Sequence, residues 1–544
     1  MKKIVAKGIC VTLLTAQMVS MTACAGKQTG SELHVIDDKY RTFYEVFVYS
    51  FADSNRDGIG DLKGLTEKLD YINDGDDATT EDLGANGIWL MPIMPSTTYH
   101  KYDVKDYMDI DRQYGTMEDF DSFMQECNAR DIHVILDLVM NHTSAKHEWF
   151  ETACEYLKGL DEGEEPSEEE CKYVGYYNFS KEKKANYYKV YGSDWYYEGK
   201  FWDQMPDLNL FNENLRKEFE EIVAFWMDKG VAGFRLDAVK EFESDNTTKN
   251  VEILTWFNGM VKAKKEDAYI VGEAWTGAST YAEYYASGID SLFDFQFGDS
   301  KGIIANAVKH VNKMDARSYA NALVKEQNLF AGYNENYINA PFYTNHDMAR
   351  SAGYYFMPEV DTAQTKLAQA MNLLMTGNVF LYYGEELGMK GSGKDENKRL
   401  AMYWSEDAKA DYMCHGPMDA EKVEQKYPSL EQQEEDPYSI YNYVKQTIRI
   451  RNTYPAIGRG VNEVIEQWTD ENIAAVKKTY DEEQIILVYN ISDTAQTIDL
   501  SEVTLGEEEL TAKRLAAKLL VDEQDIVTDS NRITLPSYAV AVFR

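Results

Sequence analysis

The sequence predicts an α/β protein built on a (β/α)8 TIM barrel, with a small lobe inserted after the third strand and a C-terminal antiparallel β-sandwich. Three patterns support this prediction. Eight short, largely apolar segments alternate with amphipathic stretches, which is typical of a parallel sheet covered by helices on both faces. One connection is far longer than a loop and a helix require. After about Pro455 the apolar residues recur with period two, which favours antiparallel strands.

The predicted barrel strands are apolar segments that end in polar residues. Eight parallel strands with interposed helices close a barrel, and the chemistry of such barrels lies at the C-terminal ends of the strands. Amphipathic stretches such as MEDFDSFMQECNAR and RKEFEEIVAFWMDKG supply the helices. The eight segments are residues 42–51, 85–93, 133–142, 231–239, 268–275, 291–297, 338–347 and 378–388.

The connection after the third strand holds about 60 residues, where a short loop and one helix would suffice. It is rich in Tyr and Trp, and it contains an acidic run from Asp161 to Glu170. We expect a small lobe that overhangs the site, with most rings in its own core and the acidic run in a solvated loop. The predicted organisation is a signal peptide at 1–23, a tether at 24–39, the barrel at 40–141 and 207–454, the lobe at 142–206 and the sandwich at 455–544.

The first 23 residues have the pattern of a targeting segment. Lysines at positions 2, 3 and 7 precede an apolar run that is too short to span a bilayer as a mature helix. The segment from Met21 to Cys24 resembles a bacterial lipoprotein processing box. This resemblance implies cleavage before Cys24, lipidation of its thiol and display on the extracellular face of a bacterial membrane. A plain secretory signal that is cut nearby is the alternative.

Charge and cysteine content exclude several classes of function. The 544 residues carry a formal net charge of −38, which argues against binding to nucleic acid or anionic membrane, because Lys and Arg bind phosphate groups. Membrane association is therefore expected only through the lipid at Cys24. Cys154 and Cys171 flank the acidic run and are compatible with either a disulfide or free thiols. No C-x-x-C spacing indicates zinc or redox chemistry.

Three acidic residues each end a short apolar segment. In GFRLDAVKE (233–241) the apolar residues alternate with Arg235 and Asp237, so a strand would present both charges together at its end. An Asp beside an Arg is expected to stay ionised, as a nucleophilic carboxylate must. A structural salt bridge explains this motif equally well by itself. Glu273 in IVGEAW and Asp347 in FYTNHD repeat the arrangement, so we expect one site formed by three strand ends.

The segment after the first predicted strand has the spacing of a calcium loop. Oxygen-bearing residues alternate, and Gly58 occupies the sixth position, as in an EF-hand. The twelfth position is Gly64 rather than Glu, so water or distant groups would complete the shell. A tight turn closed by side-chain-to-backbone hydrogen bonds is the alternative. The predicted Ca²⁺ ligands, in a structural role, are Asp53, Asn55, Asp57, Ile59 and Asp61.

Four short segments follow one another along the chain at the predicted strand ends: DLVMNH (137–142), GFRLDA (233–238), GEAW (272–275) and TNHD (344–347). In order and context these segments resemble the four hallmark segments of the α-amylase family of glycoside hydrolases, family 13. The resemblance extends from about Tyr40 to the C-terminus. MPDLN (205–209) resembles the segment of a subgroup intermediate between oligo-1,6-glucosidases and neopullulanases, of which many members are α-amylases.

The resemblance implies retaining cleavage of an α-glucosidic bond. Asp237 would be the nucleophile, Glu273 the acid and later the base, and Asp347 the residue that holds sugar hydroxyls and stabilises the oxocarbenium-like transition state. Two positions depart from the family pattern: Lys101 replaces the Gly of a Y-H-G-Y segment, and Glu241 replaces a His. The implied substrate contacts are His100, Tyr102, Asp137, His142, Arg235, Lys240 and His346.

The implied function is an α-amylase that acts on the α-1,4-glucosidic bonds of starch and malto-oligosaccharides. The nearest alternative is the same machinery with neopullulanase-like, α-1,6-cleaving or transglycosylating selectivity. A second alternative is a glucan-binding surface lipoprotein on an inactive barrel. Such a protein would be expected to lack one of the three carboxylates, and all three are present in this sequence.

Overall fold

The computed structural model describes residues 40–76, 78–244, 246–506, 508–529 and 531–544. The predicted signal peptide, the tether and Cys24 lie outside these residues. Across the described part of the chain, no helix combines the length and the apolar character needed to cross a membrane.

A parallel sheet forms the wall of the barrel. Its strands are β1 (Thr42–Val46), β2 (Gly87–Leu90), β3 (His133–Leu138), β7 (Gly233–Leu236), β8 (Tyr269–Gly272), β9 (Ser291–Leu292) and β10 (Val379–Tyr382). Within the described residues, these seven strands hydrogen-bond in the order β10-β1-β2-β3-β7-β8-β9. They are almost entirely buried, which explains why the sequence shows continuous apolar runs rather than alternation.

The eighth predicted strand, 338–347, closes the barrel in an irregular form. Parallel bridges join Phe293 to Ala340 on one side and Phe342 to Phe380 on the other. Pro341 interrupts the ladder because it has no N–H to donate, although its carbonyl accepts from Phe380 at 2.9 Å. The prediction of a (β/α)8 barrel is therefore confirmed, and one wall segment is a pair of bridges rather than a regular strand.

Helices surround the sheet and turn their apolar faces to it. The helix Glu213–Asp228 shows how: Asn212 caps its first turn, and Phe219, Val223 and Trp226 share a buried face. The α-helices are α1 (Val48–Phe51), α2 (Leu62–Glu67), α3 (Leu69–Ile72), α4 (Met117–Ala129), α5 (Glu148–Gly159), α6 (Glu213–Asp228), α7 (Thr247–Lys264), α8 (Ala278–Tyr284), α9 (Ile303–Val308), α10 (Ala316–Ala331), α11 (Asp361–Leu373), α12 (Asp395–Lys398), α13 (Leu430–Glu435), α14 (Ile440–Thr453) and α15 (Pro455–Arg459). Short 3₁₀ helices span Lys172–Gly175, Tyr285–Ser287, Ser351–Gly353, Glu385–Leu387, Leu500–Glu502 and Ala512–Arg514.

Aromatic side chains fill the inside of the barrel. Phe43 stacks between Tyr269 and Phe380, with ring centroids 5.3 and 4.8 Å away. Trp89 packs on Phe293 at 5.4 Å and lies under the guanidinium of Arg235 at 5.1 Å. This packed interior gives the polar residues at the strand ends a rigid apolar floor.

The inserted lobe carries a small antiparallel sheet, β4 (Phe179–Ser180), β6 (Tyr196–Glu198) and β5 (Tyr187–Lys189), beside α5. Tyr176, Tyr177 and Tyr197 are buried in its core, whereas Phe201 and Trp202 remain half exposed. Most residues from Asp161 to Glu170 are exposed. The solvated acidic run agrees with the expectation for this segment, but the expectation that most rings lie in the core is not met, since Tyr188 and Tyr191 are exposed as well and Tyr173, Tyr187 and Tyr196 are only partly buried.

The C-terminal part consists of antiparallel sheets with a shared apolar core. Their strands are β11 (Val461–Val464), β12 (Ile473–Tyr480), β13 (Glu483–Asn490), β14 (Gln496–Asp499), β15 (Thr504–Leu505), β16 (Glu508–Glu509), β17 (Leu515–Leu519), β18 (Val527–Asp529), β19 (Arg532–Leu535) and β20 (Val540–Phe543). The larger sheet has the order β11-β12-β13-β20-β17, and β14-β19-β18 form the second. Cys127, Cys154, Cys171 and Cys414 are free thiols.

Candidate active site

The guanidinium of Arg235 is the centre of the site. Its Nη1 donates to Asp237 Oδ1 at 2.7 Å, and its Nη2 donates to Glu273 Oε2 at 2.8 Å. Nη1 also donates to both oxygens of Asp137 at 2.9 Å. Since β3, β7 and β8 are adjacent and parallel, three carboxylates from three strands reach one buried cation.

Glu273 lies directly after β8 and is almost fully buried. Its Oε2 also accepts the backbone N–H of Ala238 at 3.1 Å. Burial raises the pKa of Glu273 to about 7; Arg235 opposes this shift, and the neighbouring carboxylates Asp237 and Asp347 reinforce it. A carboxyl group with this pKa remains largely protonated in mildly acidic solution and is suited to donate a proton.

The turn after Asp237 has a strained backbone. Ala238 has φ of +47°, in the left-handed region that costs a residue with a Cβ about 1–2 kcal/mol. This conformation points the Ala238 N–H at Glu273, so the turn joins the ends of β7 and β8. Strain at a site is often retained because it orients functional groups.

Asp347 is held by two cationic groups from different loops. Arg399 Nη2 donates to its Oδ1 at 2.7 Å, and His346 Nε2 lies 3.2 Å from its Oδ2. Burial opposes ionisation of this group, but His346 and Arg399 outweigh it and hold the pKa of Asp347 well below its usual range. Asp347 is therefore ionised at neutral and mildly acidic pH.

Tyr102 connects the two halves of the site. Its hydroxyl donates to Asp137 Oδ2 at 2.9 Å and lies 2.8 Å from His346 Nε2, and its ring stacks on His346 with centroids 5.5 Å apart. Burial raises the pKa of Asp137 to about 6, against the opposing effect of Arg235. His100 lies beside Tyr102, whose backbone N–H donates to its Nδ1 at 3.2 Å. Burial and Arg399 lower the pKa of His100 to about 4.

Lys101, at the position where the related segment has Gly, adopts φ of +67°. The backbone therefore has the left-handed conformation that Gly favours, and a lysine accepts it here. Its buried ammonium donates to Gln113 at 2.6 Å and lies 2.9 Å from Asp111. These contacts anchor the loop that carries His100 and Tyr102.

The lobe meets the barrel at the end of β3, beside β7. His142 is buried, with Nε2 3.2 Å from the carbonyl oxygen of Tyr102, and burial lowers its pKa. Asn141 donates from Nδ2 to Asp207 Oδ1 at 3.1 Å. Glu241 forms ion pairs with Lys200 of the lobe at 3.0 Å and with Lys240 at 3.2 Å. Lys240 therefore contacts Glu241 in this structure.

The predicted calcium loop has the geometry of a capped turn. Asp53 accepts three backbone N–H groups from its own loop, at 3.0, 2.6 and 2.6 Å. Asp61 accepts the N–H of Ser54 at 3.0 Å and that of Gly64 at 2.7 Å. Nowhere in residues 40–544, apart from the few positions left undescribed, is a group of three or more His, Cys, Asp or Glu side chains placed to hold a metal ion. This arrangement agrees with the turn alternative, in which backbone amides satisfy the carboxylates.

The structure brings the predicted site residues Asp137, Arg235, Asp237, Glu273, His346 and Asp347 into one hydrogen-bonded cluster with Tyr102, and His100 and His142 lie at its edge. Tyr99, in the segment that resembles Y-H-G-Y, accepts from Arg399 Nη1 at 3.1 Å. Sequence reasoning missed two residues that contact this cluster: Arg399 binds Asp347, and Glu45 binds His346. Only Glu45 left a signal, as an acidic residue within the apolar segment TFYEVFVYSF.

The chain is similar to known proteins along most of its length. Residues 45–460 match the family profile described as alpha amylase, catalytic domain. The chain is 36% identical over 511 residues to Alpha-amylase 3 of Dictyoglomus thermophilum, and the matched region covers 93% of each protein. It is 28% identical over 515 residues to the glucan 1,6-alpha-glucosidase of Streptococcus pneumoniae serotype 4, covering 84% of this chain and 91% of that protein. The solved structure of Eubacterium rectale Amy13B is 50% identical, with a TM-score of 0.89 and coverage of 94% of this chain and 96% of that one.

Proposed function

The chain belongs to the α-amylase family of glycoside hydrolases, family 13, and on this premise we propose that it is a retaining α-amylase that cleaves α-1,4-glucosidic bonds in starch and malto-oligosaccharides. The observation that carries the proposal is the single guanidinium of Arg235, which holds Asp237 and Glu273 at the ends of adjacent strands. Retaining hydrolysis requires two carboxyl groups on one bond, with one ionised and the other protonated.

In the proposed reaction the Asp237 carboxylate attacks the anomeric carbon, while Glu273 protonates the leaving glycosidic oxygen. A glycosyl-enzyme ester forms, and the leaving chain departs as an alcohol. Glu273, now ionised, then takes a proton from water, whose oxygen displaces Asp237 and regenerates both groups. The raised pKa of Glu273, about 7, supports its assignment as the proton donor.

The residues around this pair would bind the sugar and stabilise developing positive charge. Asp347 is ionised, and with 31% of its side chain exposed it can accept hydrogen bonds from sugar hydroxyls. Tyr102 offers a ring face to a pyranose, and Asp137 and Arg235 brace the floor. His100, His142 and His346 would donate to or accept from hydroxyls, and Lys240 would lie toward the leaving chain.

The bond selectivity of the enzyme can be tested by comparing the products that it releases from different substrates. We expect maltoheptaose to be cut to shorter malto-oligosaccharides, with much slower cleavage of the α-1,6 bond in panose and in pullulan. The similarity to Alpha-amylase 3 supports this order, and the similarity to glucan 1,6-alpha-glucosidase supports the alternative. Chromatography of products over time separates the two. Cleavage of α-1,6 bonds alone would refute the amylase assignment.

For the loop from Asp53 to Asp61 we propose a structural Ca²⁺, supported by the alternating oxygen spacing. The expected result is a higher melting temperature in calcium than in EGTA, because a ligand that binds only the folded state at about 1,000 times its Kd adds about 4 kcal/mol. Asp57 is exposed and makes one local hydrogen bond, so Asp57→Ala should reduce this difference without unfolding the loop. Equal melting temperatures in calcium and EGTA would leave the capped turn as the correct interpretation.

A further inference from the structure

Glu45 occupies an unusual position for a carboxylate. It is the fourth of the five residues of β1, with its side chain 1% exposed, and its neighbours in the sheet are Trp89 and Tyr382. A buried carboxylate is costly unless it is paired and hydrogen-bonded. Its Oε1 lies 2.6 Å from Nδ1 of His346, a ring that is itself fully buried. The proposed hydrolytic mechanism makes no use of Glu45.

The hydrogen bonds around His346 fix where its protons are. On one side, Nδ1 faces the Glu45 carboxylate, which can only accept when ionised. On the other side, Nε2 faces Asp347 Oδ2 at 3.2 Å and the hydroxyl of Tyr102 at 2.8 Å. The single proton of that hydroxyl is donated to Asp137. Both nitrogens therefore face acceptors. A neutral imidazole has only one N–H, so the lone pair of its other nitrogen would face an acceptor with no proton between them.

We infer that Glu45 is a positioning residue of the active site, which keeps His346 doubly protonated so that its Nε2–H holds Asp347 and faces the sugar. The inference deepens the proposed glycosidase function and rests on it. Glu45 does not touch the substrate. It acts through His346, whose backbone carbonyl also accepts from Arg399 Nε at 3.1 Å, so the main chain that carries the ring is held as well.

The surrounding charges support a cationic ring. Burial acts against the charged form, but the carboxylates of Asp347 and Glu45 outweigh it and raise the pKa of His346 to about 9. Burial raises the pKa of Glu45, and its hydrogen bond to His346 opposes that shift. The titratable and charged groups packed around this pair are Tyr102, Asp137, Arg235, Asp347, Tyr382 and Arg399.

The inference predicts a pH signature for Glu45→Gln. The amide has the shape of the carboxylate but no charge, and Asp347 still favours the cation, so the pKa of His346 should fall to near its ordinary value of about 6.5. At pH 7.5 the variant would then hold a neutral ring, and kcat/KM should fall about tenfold or more. At pH 5.5 the ring is protonated in both proteins. The ratio of variant to wild-type kcat/KM on maltoheptaose should therefore rise at least about fivefold from pH 7.5 to pH 5.5.

Glu386→Gln is a matched control. Glu386 is also fully buried and accepts from Tyr44, the neighbour of Glu45 on β1, at 2.6 Å, and from Tyr71 at 2.7 Å. It makes no contact with the site cluster, so its ratio to wild type should not change with pH. A ratio that is equally flat for Glu45→Gln would show a merely structural role and would overturn the inference.

The protonation of His346 can also be read without any change at Glu45. In the full chain with ¹⁵N-labelled histidine, one imidazole should keep both N–H groups at pH 7.5, and His346→Gln identifies its signal among the 8 histidines. A neutral ring in the wild type, including one whose Nδ1 accepts a hydrogen bond from a protonated Glu45, would contradict the inference even if Glu45→Gln failed to fold. This measurement needs no substrate, so it stands apart from the proposed function. Wild type that cleaves no α-glucan but shows the doubly protonated ring would refute the function and leave the Glu45–His346 pair intact.

Discussion

Asp237→Asn is expected to abolish hydrolysis of α-glucans, with a loss in kcat on the order of 10⁴–10⁶. The amide has the same shape as the carboxylate and can still accept from Arg235 Nη1, which lies 2.7 Å from Asp237 Oδ1. It cannot form the glycosyl-enzyme ester, because an amide oxygen is a poor nucleophile at neutral pH. Initial rates on maltoheptaose, measured with enough enzyme to detect a loss of this size, give the result.

Asp290→Asn is the matched control for this variant. Asp290 is also a buried Asp paired with a cation, Lys262, at 2.6 Å, but it lies before β9 and away from the cluster around Arg235. The kcat of Asp290→Asn should equal that of the wild type. Asp237→Asn should lose hydrolysis but should still bind maltoheptaose, as measured by calorimetry. Unchanged hydrolysis by Asp237→Asn would remove the proposed mechanism. Binding without hydrolysis in the wild type itself would instead support the glucan-binding alternative.

The local pattern of the sequence was sufficient to place the carboxylates. Asp237 and Glu273 each end a buried apolar strand, and parallel strands present their C-terminal ends on one face of a barrel. Convergence of the two groups therefore follows from topology alone. Arg235 could be assigned in the same way, since it alternates with Phe234 and Leu236 along β7 and its side chain enters the barrel.

The residues that were missed are held by contacts between distant loops. Arg399 reaches Asp347 from the segment after α12, and Glu45 reaches His346 across 301 positions of sequence. Neither contact produces a periodicity or a spacing that can be read locally. The loop from Asp53 shows a related ambiguity, because alternating oxygens that suit a metal also suit its own backbone amides. Three-dimensional placement of donors is needed to tell these cases apart.

Glu273→Gln is expected to lower kcat on maltoheptaose by a factor of about 10²–10⁴, the usual contribution of a general acid. The loss should be much smaller for an aryl α-glucoside such as p-nitrophenyl α-maltoside, whose leaving group departs without protonation. The dependence on pH should also change. In the wild type, Glu273 has a raised pKa of about 7, so the acid form, and with it kcat/KM, is lost as the pH rises through 7. Glutamine does not titrate, so this alkaline limb should be absent from the variant.

A second buried carboxyl group separates this effect from a general response of the fold to pH. Burial raises the pKa of Glu385 to about 7 as well, with Arg350 opposing the shift, yet Glu385 bonds to Ser351 and Gln369 rather than to the cluster around Arg235. If ionisation of Glu385 caused the loss of activity at alkaline pH, Glu385→Gln would remove that limb of the pH profile and Glu273→Gln would keep it. We expect the reverse, because Glu273, unlike Glu385, accepts from the guanidinium of Arg235 at 2.8 Å, and the same guanidinium holds Asp237. An alkaline limb that persists in Glu273→Gln would assign the proton donor to another residue.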